Sequence, residues 1–422
     1  MRLRHVTAIM LSAIVLLAAC GSKDEEGSGN GDSKVDSAKS STTTAAAADA
    51  GPTEGVTDTE ITIGVHTPLK IGTLDVSEIV GTGPLTEAFW KYSNEHHKVN
   101  GRTVNVLLVD DGFDPAKAIQ ACRDVVAKGV FMISGTGGTD QIIVCAQLAA
   151  SKGITYTSLG VADLLTKDPN YFALTITYDG QAKVGAKLMM TRLGGKDKKI
   201  AIVKENTPNL DEAVDTFVKE VERLGGKVAV RDTVGKPPSP EDLTNECLKL
   251  KAADAEIVYT WMPTFSLSSF AKQCTAQGYK PQFLGIANGG GCQVTGTFGA
   301  AELDGCLSLS TNRNPDEVNP PIEEECRAAW AEARPGKELP SGGEQLCGFF
   351  DVLRKALELA GKNPTQKSFR AALHGMDYDN GMLNPIKFGK GQVGSDQVVV
   401  IRAKGDKLVE EPSGWQTLAK IG

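Results

Sequence analysis

The chain has 422 residues, of which 41% are hydrophobic and 23% charged, with a formal net charge of −7. That composition is globular rather than fibrous or disordered overall, and the negative balance argues against a nucleic-acid partner, which would need a basic surface. The length exceeds one ordinary core and suits two domains.

Arg2 and Arg4 precede an apolar run from Val6 to Ala19. At roughly 14 residues it suits a secretory signal and is too short for a membrane span. Residues 1–19 are therefore expected to be a signal peptide. The run closes in Leu17-Ala18-Ala19-Cys20-Gly21, which resembles a bacterial lipobox. The resemblance implies a lipid on Cys20 and a protein held at the cell membrane, facing the extracytoplasmic side. Residues 20–56 are Gly, Ser, Asp, Lys, Thr and Ala with almost no large apolar side chain, so they read as a flexible tether.

From Asp58 onward short β-branched runs alternate with helical patterns. "EITIGV", "TVNVLLV", "VFMIS" and "ITYTS" are expected strands, with helices near 83–97, 115–128 and 140–151. Asp114-Pro115 fits an N-cap followed by proline at the first helical position. The pattern restarts after Thr177, with helices near 180–193, 209–224, 241–252 and 265–277 around "KIAIVKE", "KVAVRD", "EIVYTW" and "QFLGIA". Leu210, Ala213, Val214, Phe217, Val218, Val221 and Leu224 make one clear helical face, and Ser239 is a candidate cap. "GCLSLST" reads as a further strand, followed by helices at about 320–334 and 341–360 and the strand-like "DQVVVIRA". Alternation of this kind predicts an α/β fold with parallel sheets covered by helices.

With Cys20 set aside, eight cysteines remain, none in a metal-binding spacing. An even number in an exported chain implies disulfides. Eight cysteines allow 105 pairings, and sequence alone does not choose among them. Sequential neighbours are favoured because each pair sits in consecutive units: Cys122 with Cys145, Cys247 with Cys274, Cys292 with Cys306, Cys326 with Cys347. Each bridge would contribute roughly 3 kcal/mol in the chain-entropy view.

"VFMISGTGGTDQ", Val130 to Gln141, is the most informative stretch. It fails as a dinucleotide fingerprint because the third glycine position falls on Asp140, and it lacks the GK[ST] of a phosphate loop. Glycines still let backbone N–H groups approach a ligand, and a helix beginning near Asp140 would favour a carboxylate in front of it. Thr136, Gly138 and Thr139 are therefore candidate ligand contacts, the alternative being a plain turn whose threonines cap the helix. Gly160 and Val161 end the neighbouring strand and are candidates through their backbone groups, since open α/β sheets bind at strand carboxyl ends. Asp110-Asp111 offers two readings, a catalytic carboxylate pair or a strand end that fixes the next turn. His96-His97 cannot share a metal from adjacent helical positions. No metal, cofactor or catalytic residue is expected, and no GxSxG elbow occurs.

"GVTDTEITIGV", "VNGRTVNVLLVDDGFDPAKAIQACRDVV", "GTGGT" and "GIT" resemble the first lobe of branched-chain amino-acid-binding type substrate-binding proteins, the periplasmic-binding-protein-like class I fold. The resemblance implies two Rossmann-like lobes joined by a three-strand hinge and closing on a small solute for an ABC importer permease. Carried over, lobe 1 spans 57–178 plus 306–385 and lobe 2 spans 179–305 plus 386–422. It also implies a disulfide between Cys122 and Cys145, and ligand contacts at Tyr178, Asp179, Trp261 and Asn288. Three of these have a plainer reading, core for Trp261, a helix cap for Asp179 and a turn for Asn288, while Trp261 or Tyr178 would offer a ligand a flat apolar wall. Where the family places an acid for the ligand's ammonium this chain has Ala287 or Asn288, and where it places a hydroxyl, Ala162. Amides and other carboxylates thus stand beside amino acids as expected ligands of a monomeric receptor, with a sensory lipoprotein as the rival role.

Overall fold

A strand buried on both faces needs a cover on both sides, and the first one, "EITIGVHT", is buried along nearly its whole length. The computed structural model describes residues 53–421 except 73, 78–80, 288–290, 293–300, 316, 341 and 406. The signal peptide, Cys20, most of the tether and Asn288 lie outside the described residues.

The first half of the chain runs β1 (Glu60–Thr67), a small hairpin of β2 (Lys70–Ile71) and β3 (Leu74–Asp75), α1 (Thr82–His96), β4 (Thr103–Asp110), α2 (Pro115–Ala127), β5 (Met132–Gly135), α3 (Thr139–Ser151), β6 (Thr155–Ser158) and β7 (Tyr171–Ala173). Next come α4 (Tyr178–Arg192), β8 (Ile200–Glu205), α5 (Asp211–Arg223), β9 (Val228–Val234), α6 (Pro240–Ala252), β10 (Ile257–Trp261), α7 (Thr264–Ala276), β11 (Gln282–Gly285) and β12 (Leu307–Ser310). The chain closes with α8 (Pro321–Ala333), α9 (Gly343–Leu359), α10 (Gln366–Gly375), β13 (Val399–Lys404) and β14 (Lys407–Glu410).

Two sheets result. The first has order β4-β1-β5-β6-β7 and is parallel throughout. The second has order β14-β13-β12-β11-β10-β8-β9, parallel from β9 to β12 and antiparallel beyond. The chain passes between the two lobes before α4, after β12 and before β13, as the family resemblance implies. Helices start where the sequence places them: Asp114 accepts from the amides of Ala116 and Lys117, and Ser239 forms a capping box with Asp242. On α5, Ala213, Val214, Phe217 and Val221 are the buried face.

The expected lobe division departs from the strand pairing at two places. Residues 306–385 were assigned to the first lobe, yet β12 pairs with β11 and β13 in the second sheet. Conversely Val393, assigned to the second lobe, bridges Ala173 of the first sheet. Alternation within a strand sets which face is buried but not which edge it joins, so the partner is a tertiary choice. Helix α10, the β2–β3 hairpin, β7 and β14 were also absent from the sequence reading. The strands among them are two to four residues long, too short for a period to register.

All four disulfides join sequential cysteines: Cys122–Cys145, Cys247–Cys274, Cys292–Cys306 and Cys326–Cys347. Among the described residues no helix is long and apolar enough to cross a membrane.

Glu246 on α6 gives a stability prediction. It is 5% exposed, its Oε1 has no partner, and burial pushes its carboxyl up to about 7 from an ordinary 4.5. A folded-state value above the unfolded one means that this contribution to stability is present below pH 4.5 and lost as pH rises through about 7. Glu246→Gln is expected to match the wild type in acid and to be more stable at pH 8 by about 1–3 kcal/mol. Denaturant unfolding at both pH values checks this.

Candidate ligand-binding site

The site is built from β5 outward. A side chain at Gly135, the last residue of β5, would overlap the Tyr156 hydroxyl and the His66 ring, so only glycine lets the strand end pass over that pair. Beneath it His66 Nδ1 lies 2.8 Å from Asp111 Oδ2, and Nε2 lies 2.6 Å from the Tyr156 hydroxyl. A carboxylate only accepts, so Nδ1 carries a proton, and with the ring in its neutral form Nε2 accepts from the tyrosine hydroxyl. Burial raises the Tyr156 hydroxyl well above its ordinary range, which keeps that proton in place. Asp111 also accepts from the Phe113 amide, and Asp110 from those of Leu69 and Gly112. The acidic pair therefore fixes turns and a buried imidazole, as a structural reading of it requires. His66 also lies within 4.8 Å of the Cys122 and Cys145 sulfurs, but their disulfide leaves no thiolate for a metal.

Above this floor the loop turns through Gly138, whose φ of 74° favours glycine, into α3. No side chain caps α3. Its first N–H groups and the positive end of its dipole are therefore open to an anion. Thr139 is not the cap: its hydroxyl donates to the Tyr178 hydroxyl across 3.0 Å. Tyr178 in turn meets Trp261 edge to face, with ring centroids 5.4 Å apart. Trp261 is fully buried with its Nε1 unpartnered, and the Thr136 hydroxyl oxygen is likewise buried and unpartnered. Thr136, Gly138, Thr139, Tyr178 and Trp261 are thus brought into one constellation that joins both lobes.

The other expected contacts are placed differently. Gly160 N–H donates to Thr175 Oγ1 at 2.7 Å, and Val161 C=O accepts from Tyr178 N–H at 3.1 Å. The Val161 backbone also bonds the Tyr171 hydroxyl. These groups hold the start of α4 and position Tyr178, leaving little backbone to offer a ligand. Asp179 pairs with Lys183 on its own helix at 2.6 Å. The cap on α4 is Asp163, which accepts from Thr177 Oγ1 and the Asp179 amide.

Sequence reasoning missed a second layer. Asp140, in the first turn of α3, accepts from Asn209 Nδ2 at 2.7 Å and pairs with Lys236 Nζ at 2.9 Å, both from the second lobe. The Lys236 ammonium also stands 4.7 Å from the centre of the Phe113 ring. Next to it, at the end of β8, Glu205 accepts from Ser266 Oγ at 2.7 Å. Burial pushes Glu205 up to about 7, opposed by Ser266 and by the Lys236 charge. Asp140, Asn209 and Lys236 form a clamp across the mouth between the lobes.

A separate cavity of about 510 Å³ is lined by Glu325, Asp351, Arg354, Tyr378 and Asn380, in the helical cover of the first lobe. Arg354 is paired with Glu325 and Asp351, and Tyr378 and Asn380 donate to Asp351, so these groups already satisfy one another.

The family model for periplasmic binding proteins matches residues 60–407. Leu/Ile/Val-binding protein homolog 3 of Brucella melitensis is 24% identical over 321 residues, covering 75% of this chain and 83% of that one. Among solved structures, the fatty acid ABC transporter substrate-binding protein from Thermomonospora curvata is similar with a TM-score of 0.73 at 20% identity, covering 85% of this chain and 93% of that one. A branched chain amino acid ABC transporter protein from Thermus thermophilus with bound valine has a TM-score of 0.71 at 19% identity, with coverages of 85% and 96%. The match over 60–407, on a two-lobed parallel α/β frame with an uncapped helix facing the junction of the lobes, settles the affiliation: the chain belongs to the periplasmic binding protein family.

Proposed function

We propose that this chain is the extracytoplasmic substrate-binding protein of an ABC importer, closing two lobes on a small carboxylate-bearing or amide-bearing solute and presenting it to the permease as a monomer. The observation that carries this is the uncapped amino end of α3 beside Thr139, Tyr178 and Trp261. Peptide amides at a helix start favour a carboxylate, and the two aromatic rings supply a flat apolar wall. Fatty acids and valine, named for two structural neighbours, share a carboxylate. No nucleophile with an activating base belongs to the constellation, so the reading is capture and release rather than turnover. Native mass spectrometry of freshly purified protein tests it: a retained small acid or amide supports the reading, whereas conversion of a bound compound to product contradicts it.

We further place the lipid anchor on Cys20, from the small residues before it and the polar tether after it. Each buried methylene contributes about 0.8 kcal/mol, so several acyl chains hold a protein where one does not. Cys20→Ser is expected to move the protein from the membrane fraction to the soluble one; persistence in the membrane fraction would remove Cys20 as the anchor.

A further inference from the structure

Resting on the binding reading above, we infer that Gln141 selects the solute, and that the preferred class is small carboxylates carrying a neutral hydrogen-bond donor, a hydroxyl or amide N–H, next to the carboxylate. Gln141 is the third residue of α3 and is fully buried, yet neither its Oε1 nor its Nε2 has a partner. The large majority of buried side-chain polar atoms are paired, because leaving one bare forfeits its hydration without return. Its place in the site is fixed by Gly138. A Cβ built on Gly138 would overlap Gln141 Oε1 and stand 2.7 Å from Cδ and 3.2 Å from Phe113 Cε2. The amide thus folds back beside Gly138 at the start of α3, with the Phe113 ring near the same glycine.

Counting donors and acceptors gives the ligand's complement. Trp261 Nε1 and Gln141 Nε2 only donate, Gln141 Oε1 only accepts, and Thr136 Oγ1 does either. A bare carboxylate can satisfy the donors and the amides of α3, but it leaves Gln141 Oε1 unmet. A solute with a donor beside its carboxylate completes the amide on both sides. Turning the amide over exchanges its two atoms and leaves this count unchanged. An ammonium would need an opposing charge. Asp140, the acid of the same helical turn, is already held by Asn209 and Lys236.

The test is calorimetric titration of the full chain, stripped of bound solute, with matched sets: propionate, lactate and alanine; hexanoate and 2-hydroxyhexanoate; phenylacetate and mandelate. The wild type is expected to bind the hydroxy acid at least tenfold more tightly than its parent acid in at least one set. Gln141→Leu is expected to reduce that ratio to about twofold, and to raise the melting temperature of the stripped protein by removing an unmet polar group. Gln141→Met serves the same purpose should the leucine variant not fold. An unchanged ratio in these variants, or a parent acid or alanine preferred by the wild type, overturns the inference alone. A wild type that binds none of the compounds, and carries none from the cell, overturns the capture reading and this inference with it.

Discussion

Asp140→Ala is expected to weaken binding of the native solute by about tenfold to a hundredfold, with little change in the melting temperature of the solute-free protein. Asp140 belongs to the first lobe, while Asn209 and Lys236 come from the second, so their bonds exist only while the lobes are together. The Lys236 and Asp140 side chains are 13% and 15% exposed, dry enough for the pair to exceed the small value of a surface ion pair. Hydrogen bonds to charged groups contribute about 1.5–3 kcal/mol, and each 1.4 kcal/mol is a factor of ten in affinity. Removing the carboxylate also deprives the ammonium of its direct ion pair, leaving it beside the Phe113 ring, a weaker partner. The loss should appear mainly in the dissociation rate, since the clamp forms after encounter. A cycle of Asp140→Ala, Lys236→Ala and the double variant checks it by calorimetry: the two losses should be far from additive. Additive effects would mean that the pair does not hold the closed state.

Gly160→Ala is expected to cost about 3 kcal/mol of stability or more, and to do so without any ligand present. A methyl group there would overlap the carbonyl oxygens of Thr175 and Ile176. Both are main-chain atoms in the passage from β7 to α4, so no flexible side chain can swing aside. Overpacking commonly costs 1–3 kcal/mol, and a clash with backbone stands at the upper end. The displaced passage carries Tyr178, so affinity should fall as well, but only in step with a disturbed fold. Chemical denaturation of the solute-free variant separates the two. A variant as stable as the wild type with lost binding would return Gly160 to the list of direct contacts.

What could be read from the sequence follows the range of the interactions. Thr136, Gly138 and Thr139 were legible because a strand, a glycine turn and a helix start all lie within a dozen residues, and local chemistry fixes the outcome. The caps at Asp114 and Ser239 were legible for the same reason. Asp140 meets Asn209 and Lys236 across 69 and 96 residues of chain, and no local period records such a meeting. His66, Asp111 and Tyr156 likewise come from three different strand ends, and only the closed sheet brings them together. Gln141 was inside the stretch that drew attention, yet on a helix its buried amide reads as an ordinary polar residue until its lack of partners is known. Tyr178 and Trp261 came through family resemblance, and Asp179 came with them although its own Lys183 holds it on the helix. β12 shows the limit for topology, since "LSLS" has the pattern of a buried strand whichever sheet receives it.

Closure of two lobes on a small solute held by the amides of α3 and the Tyr178–Trp261 wall would contract the molecule. Small-angle scattering of the stripped protein, recorded before and after saturation with the compound identified by native mass spectrometry, tests it most directly. A smaller radius of gyration is expected on saturation, with the change diminished in Asp140→Ala. Identical curves with and without a compound that calorimetry shows to be bound would contradict it.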